Sequence, residues 1–404
     1  MKYIILLGDG MADEPIPELG GLTPLEHAHT PNMDALAAAG EIGRVETIPP
    51  GFHPGSDVAN LSVFGYDPAG CYTGRAPLEA ASMGVTLAPE DVAFRLNLVT
   101  LRPHFGRLYM EEFTAGHIST GEAQELIEHL QEELGDERFE FHPGVSYRHL
   151  MVWRGGKDAL EFVPPHDITG QSVEGHLPRG EGAEELLRLT NSAQMLLHRH
   201  PLNALRQRQG KPPANSIWLW GHGRAPAMPT LQQRFGLRGA VISAVDLIKG
   251  IGVYAGLDVI KVPGATGYID TNYRGKAEYA LEALKTRDFV YLHVEAPDEA
   301  AHAGNLEHKL MAIEDFDALV VGTVMKGLPA LGEHRVLVLP DHPTPVRRRT
   351  HTSDAVPYAL YGSQGEYGAA GPQVRYSERM ALAAGLLLPQ GHQLFGRLIH
   401  GRRG

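Results

Sequence analysis

Cysteine is almost absent from this chain of 404 residues, in which Cys71 is the only one. A single cysteine excludes an intramolecular disulfide and a cysteine-based zinc site. Any bound metal ion must therefore be held by histidine, aspartate, glutamate or hydroxyl groups.

Positive charge is scarce as well, with 36 Lys and Arg against 48 Asp and Glu and a net charge of −12. This balance argues against a general nucleic-acid binder and against a protein held on anionic membranes. It remains compatible with a local basic pocket for a phosphate group. We therefore expect no nucleic-acid partner and no membrane partner, whereas the composition leaves a homo-oligomer open.

Long apolar runs are missing too. The first run, residues 3–7, is too short for a signal sequence or a membrane span, and it ends at Gly8-Asp9-Gly10 without a small-residue cleavage pattern. We interpret it as a buried first strand and expect a cytoplasmic protein.

The length of the chain suggests two domains, or one large domain with an insertion. Between residues 87 and 205 short strand-like runs alternate with charged and proline-rich stretches, and amphipathic helices are predicted at 122–134 and 181–197. We interpret 87–205 as an inserted α+β cap or substrate domain with a return linker at 207–213. Residues 1–86 and 206–404 would then form a discontinuous core.

Strand and helix patterns alternate in the predicted core. Strands are predicted at residues 3–7, 216–220, 289–294 and 335–339, with helices between them. This alternation predicts an α/β fold with a mostly parallel sheet and helices on both faces. Ligands of such sheets bind beyond the carboxyl ends of the strands.

Two helix starts are clearly marked. Thr30 and Pro31 are typical of a helix beginning, and Gly40 is typical of its end. Ser56 precedes apolar residues at helical spacing and is predicted to lie at a second helix N-terminus.

Acids and histidines follow several of the predicted strands. The candidates are Asp9, Asp298, His302, Asp341, His342 and His351. Asp298 and His302 are spaced so that one helical turn brings both side chains to the same face. Together with Ser56 the set offers enough oxygen and nitrogen ligands for two cations. Mixed oxygen and nitrogen ligation suits Mn²⁺, which we expect first, or Zn²⁺, Co²⁺ and Mg²⁺, better than Ca²⁺.

Phosphoryl transfer needs such a set. A serine hydroxyl must become an alkoxide near neutral pH and phosphate oxygens must be neutralised, and two cations roughly 3.5–4 Å apart do both. A serine at a helix N-terminus also gains the positive end of the helix dipole. Ser56 is therefore the candidate nucleophile. Each residue taken alone is compatible with a structural role, and only the ordered set predicts a site.

A resemblance to a known family covers the whole chain. The segments that carry it are GDGMAD (8–13), TPNMD (30–34), PGSDVAN (54–60), PDEAAH (297–302), DHPTP (341–345) and the loop of His351. In this order they resemble the alkaline phosphatase superfamily and, more narrowly, the archaeal-type cofactor-independent phosphoglycerate mutases. Residues 72–79 and 239–250 are similar to the same group.

The resemblance implies an alkaline-phosphatase-like three-layer core and an isomerase of glycolysis and gluconeogenesis. Such an enzyme interconverts 3-phosphoglycerate and 2-phosphoglycerate through a phosphoserine, without 2,3-bisphosphoglycerate. By resemblance, Ser56 would be the nucleophile. One divalent metal ion would be held by Asp298, His302 and His351, and the other by Asp9, Ser56, Asp341 and His342.

The groups that would bind the small phosphorylated acid are less evident. Arg95, Arg148 and Lys249 are candidates only because such a substrate needs cationic, preferably bidentate, partners.

Three alternatives remain open. The same seven residues would serve a metal-dependent phosphatase or phosphodiesterase, and the reaction product distinguishes these from a mutase. A small-metabolite phosphotransferase would need a nucleotide donor, and the lack of a Walker-type loop weighs against it. A catalytically silent metal-binding module would have no need for a serine at position 56.

Overall fold

The computed structural model describes residues 1–401, which form two compact units. Within the described residues, the first unit comprises 1–72 and 227–401, and the second comprises Thr73–Pro226. The predicted insertion at 87–205 therefore needs correction at both ends. Residues 207–213 lie inside the second unit and are not a return linker.

Fifteen strands and sixteen α-helices are described within residues 1–401. The strands are β1 (Lys2–Gly8), β2 (Glu41–Val45), β3 (Val92–His104), β4 (Arg107–Glu112), β5 (Phe139–Val145), β6 (Arg148–Trp153), β7 (Leu160–Glu161), β8 (Arg179–Gly180), β9 (Ser216–Gly223), β10 (Gly239–Ile242), β11 (Asp258–Val259), β12 (Phe289–Val294), β13 (His334–Leu339), β14 (Val356–Gly362) and β15 (Leu387–Leu388). The helices are α1 (Pro24–His27), α2 (Pro31–Ala39), α3 (Ser56–Val63), α4 (Pro68–Cys71), α5 (Ala76–Ser82), α6 (Thr120–Leu134), α7 (Ala183–Arg199), α8 (Pro201–Arg208), α9 (Leu231–Phe235), α10 (Asp246–Tyr254), α11 (Tyr273–Leu284), α12 (Ala296–His302), α13 (Leu306–Asp315), α14 (Gly322–Gly327), α15 (Glu378–Ala383) and α16 (Gln393–His400). A π-helical segment, Phe316–Val321, joins α13 to α14.

The first unit is built on an eight-stranded sheet of order β11-β10-β12-β1-β13-β14-β2-β15. The five strands from β11 to β13 are parallel, whereas β14 is antiparallel to both of its neighbours. Strands β12, β1 and β13 are buried along almost their whole length, as expected for parallel strands covered on both faces. The predicted α/β fold with a mostly parallel sheet is confirmed.

Helices cover both faces of this sheet. On one face, alternate residues such as Ile4, Leu6 and Val290 share an apolar core with residues of α2, α11 and α13. On the other face, Tyr291 stacks on Phe64 directly after α3, with ring centroids 3.9 Å apart. The period-two alternation of the strands thus separates the two helical layers.

The start of α2 differs from the prediction in its cap. Pro31 occupies the first helical turn as expected, but the Thr30 side chain makes no capping hydrogen bond. Instead the Asp317 carboxylate, from the π-helical segment, accepts from the backbone N–H groups of Asn32 at 3.2 Å and Met33 at 2.7 Å. The orphan donors of α2 are satisfied from a distant part of the chain.

The second unit contains a five-stranded sheet in which β9 pairs antiparallel with β3, beside β4, β6 and β5. The strand predicted at 216–220 therefore belongs to this sheet and not to the core sheet. The amphipathic helices predicted at 122–134 and 181–197 are present as α6 and α7, and their apolar faces pack with Phe94 and Leu96 of β3. Among residues 1–401 the structure has no helix that is long and apolar enough to span a membrane.

Candidate metal centre

Three neighbouring parallel strands bring the candidate acids to one edge of the sheet. Leu7 of β1 pairs in register with His293 of β12 and with Leu339 of β13. Asp9, Asp298 and Asp341 follow these three strands, and all three are buried, with 2%, 4% and 0% exposure. Burial of three carboxylates side by side is costly unless a positive group neutralises them.

One cluster of possible metal ligands comprises Asp9, Asp341 and His342, whose ligand atoms lie within 4.8 Å of one another. Asp9 Oδ1 is 3.6 Å from His342 Nε2 and, within the described part of the chain, has no hydrogen-bond partner although it is buried. Burial, together with the charges of Asp341 and Asp298, raises the pKa of Asp9 well above its ordinary value. A cation at this point would satisfy the orphan oxygen and favour the ionised carboxylate.

A second cluster comprises Asp298, His342 and His351, whose ligand atoms also lie within 4.8 Å of one another. His302, on the same face of α12 as Asp298, places its Nε2 2.8 Å from His351 Nε2. The two Asp298 oxygens lie 3.3 Å from His302 Nε2 and 3.4 Å from His351 Nε2. Burial opposes ionisation of Asp298, but the hydrogen bonds from these histidines outweigh it and hold the pKa well below its ordinary value.

Hydrogen bonds to backbone and side chain orient two of the imidazoles. The Nδ1 of His302 is 3.0 Å from the backbone oxygen of Arg349, which accepts from an N–H at that position. Arg349 has a left-handed backbone with φ 54°, a conformation that is strained for a residue with a Cβ and is often kept at functional sites. When a cation replaces the proton on Nε2, donation from Nδ1–H would leave the Nε2 lone pair of the neutral ring facing the cluster, as in many metal sites.

Thr344 has the corresponding effect on His342. Its hydroxyl donates to Asp298 Oδ1 at 2.5 Å, and its oxygen lies 3.1 Å from His342 Nδ1. Because the single hydroxyl proton is directed to Asp298, the oxygen accepts from Nδ1–H of His342. The Nε2 lone pair of His342 then faces both clusters.

Ser56 lies beside this nitrogen. It is the first residue of α3, and Gly55 before it is the N-cap. Its Oγ is 3.1 Å from His342 Nε2. The hydroxyl therefore stands beside the possible metal ligands, at the positive end of the helix dipole.

Asn60, one turn further along α3, was missed by sequence reasoning. Its side-chain N–H groups donate to the Ser56 backbone oxygen at 2.8 Å and to Asp341 Oδ2 at 2.7 Å. Its Oδ1 accepts from the Tyr291 hydroxyl at 2.5 Å. The only available signal was its spacing of four residues from Ser56, which places both near one helix face.

His293 and Ser243 were missed as well. His293 Nε2 is 2.9 Å from Asp9 Oδ2, and its Nδ1 is 3.1 Å from Ser243 Oγ. Burial lowers the pKa of the His293 imidazole to about 3, so the ring is neutral. Both residues stand at or just after strand ends, a position that distinguishes them only once the sheet order is known.

All seven predicted residues thus lie at one edge of the first-unit sheet. The structure does not divide them as cleanly as the resemblance implies, because His342 belongs to both clusters and its ring stacks on His351 with centroids 4.0 Å apart.

The three candidate substrate cations are divided between the units. In the second unit, Arg95 pairs with Glu79 at 3.0 Å and lies over the Trp220 ring at 4.0 Å. Burial lowers the pKa of Arg95 to about 10, and the positive charges of Arg75 and Arg148 add to that shift. In the first unit, Lys249 pairs with Asp246 at 2.7 Å.

Comparisons with known proteins agree with one another. Residues 37–203 match the family model of 2,3-bisphosphoglycerate-independent phosphoglycerate mutase. A probable 2,3-bisphosphoglycerate-independent phosphoglycerate mutase of Geobacter sulfurreducens is 61% identical over 399 residues, which cover 99% of this chain and 100% of the relative.

Two solved structures are similar over nearly the full length. A protein from Pyrococcus horikoshii has a TM-score of 0.84 at 32% identity, covering 99% of this chain and 96% of that one. The cofactor-independent phosphoglycerate mutase of Thermoplasma acidophilum has a TM-score of 0.69 at 27% identity, with 99% of both chains covered.

Fold and site together define an α/β enzyme of a class that uses divalent metal ions, with carboxylates and imidazoles at its strand ends that could hold them. Within that class, the chain belongs to the 2,3-bisphosphoglycerate-independent phosphoglycerate mutases, a family of isomerases. The family predicted from the ordered motifs is confirmed.

Proposed function

We propose that this chain interconverts 3-phosphoglycerate and 2-phosphoglycerate through a phosphoserine at Ser56, in the cytoplasm, as a step of glycolysis and gluconeogenesis. The observation that carries the proposal is the position of the Ser56 hydroxyl. It stands at the start of α3 and lies 3.1 Å from Nε2 of His342, the residue that belongs to both ligand clusters. A serine that acted only as the N-cap would precede the helix and accept from a backbone N–H, whereas here Gly55 is the N-cap.

The same proposal assigns Asp9, Ser56, Asp341 and His342 to one divalent ion and Asp298, His302 and His351 to the other. Its support is the orphan oxygen of Asp9 and the short distance between the His302 and His351 nitrogens. Mn²⁺ suits these mixed ligands best, with Zn²⁺, Co²⁺ and Mg²⁺ as alternatives. When bound, the ions would neutralise phosphate oxygens and favour the alkoxide form of serine.

The steps at Ser56 follow from its position. The Oγ loses its proton and attacks the phosphorus of 3-phosphoglycerate, the bond from phosphorus to the 3-oxygen breaks, and that oxygen takes up a proton as glycerate is released within the site. The 2-hydroxyl of the reoriented glycerate then attacks the phosphoserine, and the bond to Oγ breaks. Asn60 holds the backbone of Ser56 and the carboxylate of Asp341 in place through both transfers.

We further propose that the second unit is the substrate cap and that Arg95 and Arg148 bind the phosphorylated acid. Arg75 joins them, since it pairs with Glu79 at 3.0 Å, as Arg95 does. Lys249 is proposed as a further cation from the first unit. A group of arginines in a protein of net charge −12 is consistent with an anionic ligand.

Phosphorus NMR of 3-phosphoglycerate with the protein and Mn²⁺ tests the proposed reaction. We expect the 2-phosphoglycerate signal to appear without free phosphate. Release of phosphate as the main product would identify a phosphatase and refute the mutase assignment.

Substitution of the nucleophile tests the proposed intermediate. Ser56→Ala should abolish isomerisation, because no other hydroxyl would carry the phosphoryl group. Ser62→Ala, on the same helix, is the matched control, because the buried Ser62 Oγ has no hydrogen-bond partner within residues 1–401. Isomerisation by Ser56→Ala at a tenth of the control rate or more would remove Ser56 from the mechanism.

A further inference from the structure

Asp9 is held by a chain of hydrogen bonds that none of its immediate sequence neighbours provides. The Val245 backbone N–H donates to Ser243 Oγ at 2.9 Å, Ser243 Oγ lies 3.1 Å from His293 Nδ1, and His293 Nε2 lies 2.9 Å from Asp9 Oδ2. His293 is fully buried and Ser243 is 7% exposed. Water is therefore a poor substitute for Ser243 or His293 as a hydrogen-bond partner.

The direction of these hydrogen bonds is set by chemistry. An Asp9 carboxylate that binds a cation is ionised and is only an acceptor, so in that state the single ring proton of His293 must be on Nε2. His293 Nδ1 is then an acceptor and takes the hydroxyl proton of Ser243. Ser243 Oγ remains free to accept from Val245 N–H, and every member of the chain is satisfied.

The fold explains why these residues meet. Strands β10, β12 and β1 are consecutive and parallel in the sheet, with Ile242 in register with Leu292 and Leu7 in register with His293. Ser243, His293 and Asp9 therefore stand at three adjacent carboxyl ends. The hydrogen bonds between these residues therefore run from strand to strand across the sheet, and not along the polypeptide.

The consequence concerns the two oxygens of Asp9. His293 occupies Oδ2, whereas Oδ1 is buried without a partner in the described residues and faces His342 Nε2 at 3.6 Å. We propose that His293, itself oriented by Ser243, is a positioning residue that fixes the Asp9 carboxylate with Oδ1 directed at the divalent ion. This assignment rests on the proposed metal site but not on the identity of the substrate.

Metal binding to the full-length protein tests the proposal separately from turnover. Mn²⁺ is titrated into protein stripped of metal, and free Mn²⁺ is followed by electron paramagnetic resonance. Asp9→Asn identifies which of the binding events belongs to the Asp9 site. We expect His293→Leu to weaken that event by about 10- to 100-fold, the usual effect of removing the partner of a metal ligand. Binding at the Asp298 cluster should change by less than about threefold.

Two further variants distinguish positioning from packing. His293→Gln keeps an N–H donor toward Asp9 and should restore Mn²⁺ binding to within about tenfold of the unmodified protein, whereas His293→Leu does not. Ser243→Ala keeps the imidazole but removes the group that orients it, and should give an intermediate loss. Far-UV circular dichroism identifies variants that fail to fold, and if His293→Leu is one, the Gln and Ala variants decide the question.

Several results would overturn the inference. The first is unchanged Mn²⁺ binding in His293→Leu, or in Ser243→Ala if the Leu variant fails to fold. The second is equal weakening of both binding events. The third is a His293→Gln variant that binds Mn²⁺ as weakly as the Leu variant. Failure of the unmodified protein to isomerise phosphoglycerate would contradict the proposed function and leave this measurement intact. The two proposals therefore fail in different experiments.

Discussion

Thr344→Val removes one hydroxyl from the centre while keeping the shape of the side chain. Thr344 is fully buried, donates to Asp298 Oδ1 at 2.5 Å, and accepts from His342 Nδ1 at 3.1 Å. The variant loses a hydrogen bond to a charged group, which contributes about 1.5–3 kcal/mol, and leaves a buried N–H without an acceptor, which costs about 1–3 kcal/mol. Because the two effects overlap, we expect a loss of roughly 2–5 kcal/mol in the free energy of unfolding of the first unit.

The same substitution should also weaken metal binding. Without the Thr344 hydroxyl, His342 Nδ1–H has no acceptor among the described residues. The tautomer that carries the proton on Nε2 then competes with the tautomer that can bind metal through Nε2. We expect Mn²⁺ affinity to fall by about 10- to 100-fold. Thr344→Ser, which keeps the hydroxyl, is the matched control and should retain affinity within about tenfold.

Stability is measured by urea unfolding of metal-free protein, and unfolding is monitored by hydrogen exchange of peptides from the first unit. Metal affinity is measured separately by Mn²⁺ titration. The three tryptophans, Trp153, Trp218 and Trp220, all lie in the second unit, so their fluorescence reports on a part of the chain that the substitution leaves unchanged. If Thr344→Val matched Thr344→Ser in both stability and affinity, the assigned directions of these hydrogen bonds would be wrong.

Two further predictions concern buried charges beside the centre. Lys309→Met should lower the free energy of unfolding by about 3–5 kcal/mol, because the fully buried Nζ pairs with Asp13 at 2.8 Å; urea unfolding measures it, and a loss under 1 kcal/mol would contradict it. Burial raises the pKa of Glu378 to about 7 from an ordinary 4.5, so the folded state holds its proton more tightly than the unfolded chain. Its stabilising contribution should be complete below about pH 4.5 and lost as the pH rises through 7. Unfolding of metal-free protein and Glu378→Gln at pH 5 and pH 8 checks this, and an equal fall in both proteins would refute it.

The local sequence determined the elements and the chemistry of the centre. A buried run that ends in Gly8-Asp9-Gly10 predicts a strand followed by an acid, and the spacing of Asp298 and His302 predicts one helix face. These patterns depend on residues a few positions apart, so periodicity and turn chemistry reveal them. The ordered motifs were also sufficient to predict the family.

The tertiary structure decided the boundaries of the units and the partners of the ligands. Strand β9 belongs to the second unit because it pairs with β3, more than a hundred residues earlier in the chain (Leu98 with Ile217, for example). Its own apolar pattern fits either sheet, so the sequence assigned it to the wrong one. The cap of α2 is similar, since Asp317 is 284 positions from Met33.

The protonation of the histidines also depends on distant contacts. Thr344 donates its hydroxyl proton to Asp298 and can therefore accept from His342 Nδ1–H. Ser243 follows β10 and orients His293 of the neighbouring strand β12. Residue types and spacing predict which side chains can bind metal, because that property belongs to each residue. Which nitrogen or oxygen is available depends on hydrogen-bond partners that only strand order and register bring together.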